Sequence, residues 1–133
     1  HNMPSATYAS ANAKQLAEDL YGRAGVGPED IDVVQLYDAF TGMVLFALED
    51  FGFCELGESG EYVAQGNLRI DGKTPCNTSG GILSEAYIHG LNLVLEGVRQ
   101  LRGHSTSQVD TAKLVLVSGG ESVTPTSGLI LGV

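Results

Sequence analysis

The chain has 133 residues, 43% of them hydrophobic and 17% charged, and a formal net charge of −9. That length holds one domain with one real core and excludes two large ones. The acidic balance argues against nucleic acid or an anionic membrane as partner, and there is no signal-peptide pattern or apolar run of about 18 residues to predict export or membrane insertion.

The first eight or nine residues carry no pattern and read as a linker or as a strand cut short. From Ser10 to Gly25, apolar residues recur at Ala13, Leu16, Ala17, Leu20, Tyr21 and Ala24, which predicts an amphipathic helix with Ser10 as N-cap and a glycine stop. Pro28-Glu29-Asp30 turns the chain, and Ile31–Tyr37 reads as a short buried strand running directly into Asp38-Ala39-Phe40-Thr41. Met43, Val44, Ala47, Leu48 and Phe51 mark a second helix ending at Gly52. Phe53–Thr74 has the weakest pattern, with one short helical piece around residues 58–65; such loops usually cover a site or a partner surface.

The segment Pro75-Cys76-Asn77-Thr78-Ser79-Gly80-Gly81-Ile82-Leu83-Ser84 is the most informative in the chain. A glycine pair allows close approach, the Asn/Thr/Ser cluster supplies local hydrogen bonds, and a helix N-terminus is expected to follow with its N–H groups aimed outward. Together these features suit an oxyanion or a thioester carbonyl. One long helix is predicted from Ser84 to Arg102, with Ile88, Leu91, Leu95 and Val98 on one face and with Tyr87 and His89 in its first turns. Lys113–Val117 reads as a buried strand broken by Ser118-Gly119-Gly120, and Gly128–Val133 as a final strand.

These elements predict an α/β fold, a mixed β-sheet with helices packed on it, over a single domain spanning residues 1–133. The first helix has no strand before it, so a sheet edge and apolar helix faces are left uncovered. The chain therefore reads as part of a longer protein or as an obligate oligomer. The two cysteines, Cys54 and Cys76, have neither C-x-x-C nor zinc-ligand spacing. They read as free thiols in a reducing cytoplasm, with a disulfide as the alternative, and Cys76 reads as a small structural residue. No metal is expected.

Three motifs in order resemble the C-terminal half of a thiolase, in this case lacking its first strand. Tyr37-Asp38-Ala39-Phe40 stands where thiolases carry Asn-Glu-Ala-Phe. Asn77-Thr78-Ser79-Gly80-Gly81 matches their Asn-x-x-Gly-Gly loop, with Ala86-Tyr87-Ile88 in place of Gly-His-Pro. Val117-Ser118-Gly119-Gly120 stands where they carry Cys-x-Gly, without the cysteine. The resemblance thus replaces an active-site imidazole and amide by Tyr87 and Tyr37. A phenol with a pKa near about 10 is a poor base for Claisen chemistry through an acyl-enzyme.

Within the superfamily the pattern resembles the lipid-transfer-protein-like branch related to sterol carrier protein x, on the side of the bacterial aldolases of steroid degradation. Leu36 to Thr41, Leu83 to Gly90 and Arg99 to Gly103 carry that likeness. The resemblance implies retro-aldol cleavage of a 17-hydroxy steroid bearing a CoA-thioester side chain, giving a 17-ketosteroid and propionyl-CoA. It implies no cofactor beyond the CoA of the substrate, a homodimer, and a partner protein with an OB fold and a zinc ribbon. It also places Tyr37 and Tyr87 in joint charge of the proton. Asp38 orients Tyr37, and His89 is a second acid–base candidate. Asn77, Gly80, Gly81, Gly119 and Gly120 are expected to bind the substrate or its developing oxyanion.

Each of these residues also has a plainer reading. Tyr37 and His89 could simply pack, Asp38 could cap the following helix, and Gly80-Gly81 could be a tight turn. Two other functions compete with the aldolase: a degradative acyl-CoA thiolase whose cysteine lies elsewhere, and a non-catalytic lipid or acyl-CoA carrier.

Overall fold

The computed structural model describes Ser10, residues 12–120 and residues 126–133; the linker or cut strand expected at the start lies outside these. Three strands form one sheet in the order β1 (Val33–Gln35), β2 (Leu114–Gly119), β3 (Ser127–Gly132). β1 runs parallel to β2, with Val33 opposite Val115 and Gln35 opposite Val117. β3 is antiparallel to β2, with Leu114 opposite Gly132 and Gly119 opposite Ser127. The mixed sheet therefore follows from one long crossover and one hairpin.

The strands are apolar nearly throughout because both faces of the sheet are covered. Val34, Leu36 and Leu116 point to one side, where they join Ala13 and Ala17 with Met43, Ala47, Leu48 and Phe51. Val33, Tyr37, Val115 and Val117 point to the other, against Ile82 and Leu93. The first side is built by α1 (Lys14–Ala24) and α2 (Thr41–Asp50), the second by α5 (Leu91–Leu101). α5 comes close to the sheet at Gly97, where a Cβ would meet Val117 and Val115 side-chain carbons at 3.2 and 3.3 Å.

Several boundaries differ from the sequence expectation. α1 starts at Lys14, four residues after Ser10, and Ser10 is not its N-cap. The cap comes from the far end of α2 instead: Asp50 Oδ2 accepts from the Ala13 N–H at 2.9 Å and from the Ser10 hydroxyl at 2.8 Å. Gly25 ends the helix in the left-handed region at φ 69°, as the glycine stop requires. β1 is shorter than Ile31–Tyr37 because side chains replace the sheet ladder beyond Gln35, as described below.

The largest difference lies between residues 81 and 101. The single helix expected from Ser84 is two helices, α4 (Gly81–Ser84) and α5 (Leu91–Leu101), separated by an irregular stretch. Glu85 is extended at ψ −179°, and His89 and Gly90 take φ values of 54° and 83°. Two successive left-handed residues cannot continue an α-helix. Tyr87 and His89 therefore sit on a loop, and α5 is shorter than its apolar periodicity suggests.

The inward face of α5 is also unusual. Leu91 and Leu95 are exposed, whereas Asn92, Glu96 and Gln100 are buried. The α5 residues whose periodicity marks an apolar face point away from this core, and a polar stripe points inward. α3 (Ser59–Ala64) lies against α2 in the long loop. Among the described residues, no helix is long and apolar enough to cross a membrane.

Candidate active site

Tyr37 stands just past the C-terminal end of β1, where ligands bind in open α/β sheets. Its ring lies in the core on the α5 side. Its N–H donates to Ser118 Oγ at 3.2 Å, which ties it to the end of β2. The two residues before it are held by side chains. Asn77 accepts the Leu36 N–H at 2.8 Å and donates to the Leu36 carbonyl at 3.0 Å, and Gln35 Nε2 donates to Thr78 Oγ1 at 3.0 Å. Asn77 reaches this position in the left-handed region, at φ 48°, which asparagine tolerates.

Tyr87 arrives from the α4–α5 loop. The Tyr37 and Tyr87 hydroxyl oxygens are 3.1 Å apart, and either can be the donor. Tyr37 is 9% exposed and Tyr87 58%, so the pair runs from the core to the surface. His89 stacks on Tyr87 with ring centroids 4.7 Å apart and planes tilted by 53°. Gly90 lets the loop settle on the inner tyrosine: a Cβ there would lie 3.1 Å from Tyr37 Cδ2. Gly90 and Ser118 are thus part of the site's construction. The sequence reading assigned neither a role, although a glycine three residues after an active-site candidate is a usable signal.

Asp38 is 4% exposed and receives the Ile82 N–H at 2.8 Å and the Leu83 N–H at 3.4 Å. It caps α4, not the helix that follows it in sequence, and it takes up the N–H groups that were expected to face outward. Gly81 makes that contact possible, since any Cβ there would lie against Asp38 and Asn77. Gly80-Gly81 therefore brings β1 and α4 together. An apolar cleft lined by Val44, Leu45, Val63, Leu68 and Leu83 opens beside Asp38. Gly119 belongs to the β2–β3 hairpin, and Gly120 follows it at φ 74°. Among the described residues, no group of His, Cys, Asp and Glu could hold a metal ion.

The structure thus gathers Tyr37, Tyr87 and His89 at one point, with Asp38 and Gly81 in the adjoining brace and Ser118-Gly119 beside the Tyr37 backbone. Asn77 faces the backbone of Leu36 with both of its amide atoms.

Both cysteines are free, and neither has the character of a nucleophile. Burial, reinforced by the Asp38 carboxylate, pushes the Cys76 thiol up to about 12. Burial and then Glu49, Glu58 and Glu55 push Cys54 up to about 11. At pH 8 almost no thiolate is present at Cys76, and the greater nucleophilicity of a basic thiolate recovers only part of that loss. Iodoacetamide at pH 8 should therefore alkylate Cys76 at least about tenfold more slowly in the folded protein than in urea, as peptide mass spectrometry would measure. Equal rates in the two conditions would overturn this account of the thiol.

The fold and the tyrosine-bearing sheet end define a thiolase-like α/β protein. The family described as thiolase C-terminal domain-like matches residues 1–132, and the chain belongs to it. It is 51% identical over 117 residues to a steroid side-chain-cleaving aldolase of Thermomonospora curvata, covering 88% of this chain and 30% of that protein. It is 48% identical to a 17-hydroxy-3-oxo-4-pregnene-20-carboxyl-CoA lyase of Mycobacterium tuberculosis, again covering 88% and 30%. A solved structure named Ltp2-ChsH2(DUF35) aldolase superposes with a TM-score of 0.87 at 48% identity, over 90% of this chain and 31% of that one. The chain spans just under a third of the length of these relatives.

Proposed function

We propose that the protein to which this chain belongs is a carbon–carbon lyase that splits a 17-hydroxy steroid CoA thioester by retro-aldol cleavage. One observation carries the reading. Two phenol hydroxyls lie 3.1 Å apart, on the two residues that the motif resemblance matches to an imidazole and an amide of thiolases. The names of the relatives from Thermomonospora curvata and Mycobacterium tuberculosis point to the same chemistry.

In such a substrate the 17-hydroxyl gives up its proton, the C17–O bond becomes a carbonyl, and the C17–C20 bond breaks. Its electron pair moves onto C20 and into the thioester carbonyl as an enolate, and C20 then takes a proton to give propionyl-CoA. No oxidant or reductant is needed, because one proton leaves oxygen and one arrives at carbon. Tyr37 and Tyr87 can serve both transfers, because either oxygen of the pair can be the donor. His89 and Gly90 hold the two rings, while Asp38 joins the tyrosine-bearing strand to α4. Of the backbone N–H groups expected to steady the enolate oxygen, those of Gly80, Ile82 and Leu83 are bonded to Asn77 and Asp38, which leaves Gly119-Gly120 as the candidate for an oxyanion hole.

The apolar cleft beside Asp38 suits a hydrophobic ring system, and a reducing cytoplasm suits two unpaired thiols. A homodimer and a second protein, of the DUF35 kind named in the solved neighbour, complete the assembly. The thiolase reading is weaker, since Claisen chemistry through an acyl-enzyme needs a base near neutrality and this chain offers phenols at the matching motif positions.

The test is turnover of 17-hydroxy-3-oxo-4-pregnene-20-carboxyl-CoA by the full-length enzyme with its partner. Equal amounts of 17-ketosteroid and propionyl-CoA are expected, with no free CoA required. No cleavage of this substrate, with CoA-dependent splitting of a 3-oxoacyl-CoA offered in its place, would favour a thiolase. Tight binding without products would favour a carrier.

A further inference from the structure

The polar stripe on α5 is hard to explain as a source of stability. Asn92, Glu96 and Gln100 recur at four-residue spacing and are 7%, 2% and 1% exposed. A buried carboxylate is tolerated only when it is well bonded, and well-packed apolar residues would serve stability as well or better. What the stripe does is hold loops.

Glu96 Oε1 accepts from Thr78 Oγ1 at 2.7 Å, Ser105 Oγ at 2.6 Å and Gln100 Nε2 at 3.2 Å. The Thr78 hydroxyl in turn accepts from Gln35 Nε2 at 3.0 Å and Gln100 Nε2 at 2.9 Å. With its one proton given to Glu96, and with Gln35 and Gln100 on its acceptor side (the Gln100 amide nitrogen also serving Glu96 and the Ser107 carbonyl), that hydroxyl has a single orientation. Thr78 follows Asn77, the residue that clasps the Leu36 backbone. Residues 35 and 36, the pair leading into Tyr37, are therefore both fixed to a loop that is itself anchored on Glu96. One turn earlier on α5, Asn92 Nδ2 donates to Glu85 Oε2 at 2.7 Å and pins the chain two residues before Tyr87. A single helix face thus reaches both segments that carry the tyrosine hydroxyls.

We propose that Glu96, acting through Thr78, is a positioning residue that sets the Tyr37–Tyr87 separation, with Asn92 holding the Tyr87 side from the same helix. The inference rests on the aldolase reading for its kinetic consequence, though its geometric consequence stands alone. Small displacements of reacting groups lower the rate of the chemical step more than they weaken substrate binding.

The experiment uses the full-length enzyme with its partner and the 17-hydroxy-3-oxo-4-pregnene-20-carboxyl-CoA substrate. Thr78→Val keeps the shape of the side chain and removes the hydroxyl; Thr78→Ser restores it. Thr78→Val should lower kcat on the order of 10- to 100-fold with KM changed by less than about threefold, and Thr78→Ser should recover most of the loss. Glu96→Ala should resemble Thr78→Val; if it does not fold, the Thr78 pair decides. A crystal structure of Thr78→Val should show the two hydroxyl oxygens more than about 3.5 Å apart, beyond hydrogen-bond reach. A folded Thr78→Val enzyme with wild-type kcat overturns the inference, even if its melting temperature falls. Should Tyr37→Phe itself leave turnover intact, the aldolase reading is what has failed. The hydroxyl separation in Thr78→Val then decides the inference by itself: a longer separation supports it and an unchanged one ends it.

Discussion

Under the proposed lyase function, replacing either tyrosine by phenylalanine should nearly abolish cleavage of the steroid side chain by the full-length protein while leaving it folded. General acid–base groups contribute on the order of 10²- to 10⁴-fold, so kcat for Tyr37→Phe and for Tyr87→Phe should fall within that range. The effect on stability should be small, because each substitution removes the same hydrogen bond, worth about 0.5–1.5 kcal/mol net, between the buried Tyr37 and the exposed Tyr87. Because the hydroxyls share one hydrogen bond, they should act as a unit. The double variant should then be little slower than the worse single one, well short of the sum of the two losses. Steady-state kinetics of the four proteins, read beside their melting temperatures, check this directly. Additive losses would mean that the hydroxyls work on separate steps, and wild-type turnover by either folded variant would remove the acid–base role altogether.

The parts of the fold legible in the sequence are those governed by short-range rules. Gly25 ends α1 because a helix closes readily on a left-handed glycine, and the apolar run at 114–117 announces β2 as a strand covered on both faces. The differences arise where distant residues override local preference. Ser10 has the chemistry of an N-cap, but Asp50, forty residues away in sequence, takes the capping position and draws the Ser10 hydroxyl to itself. The helix expected from Ser84 is too long because Ile88, Leu91, Leu95 and Val98 share a helical period. Periodicity alone does not register the left-handed turn at His89-Gly90.

At the candidate site, the identities of Tyr37 and Tyr87 are legible only through their place in a family pattern, since a tyrosine at a strand end usually just packs. The 3.1 Å approach of their hydroxyls joins residues fifty positions apart and has no local signature. The same is true of Asp38. Its position in the sequence suits a cap for the helix after it, whereas the fold turns it toward Ile82 and Leu83, far along the chain. Polar residues at four-residue spacing on an otherwise apolar helix are visible as a pattern. That they face inward depends on Gly97, which seats α5 against Val115 and Val117.

Gly81 is where this long-range construction is most exposed to a single change. It occupies the left-handed region at φ 67°, and a Cβ there would lie 2.7 Å from Asp38 Cγ and 2.8 Å from Asn77 Nδ2. Neither neighbour is free to yield. Asp38 is held by the Ile82 and Leu83 N–H groups, and Asn77 is bonded through both amide atoms to Leu36. The left-handed conformation costs an alanine roughly 1–2 kcal/mol, and forcing a carbon into a filled site adds about 1–3 kcal/mol. Gly81→Ala should therefore destabilise the full-length protein by about 2–4 kcal/mol and depress turnover in whatever folds, because the displaced groups hold the Tyr37 strand. Gly60 is the control: it lies within α3, where an added methyl carbon would have no atom within 4 Å, and Gly60→Ala should leave stability unchanged or raise it by about 0.5–1 kcal/mol. Urea unfolding midpoints of the two variants, measured side by side, separate a general intolerance of added methyl groups from a clash at this one junction. Equal midpoints would show that Asp38 and Asn77 can move apart at little cost, and that the strand-to-helix brace is softer than its hydrogen bonds imply.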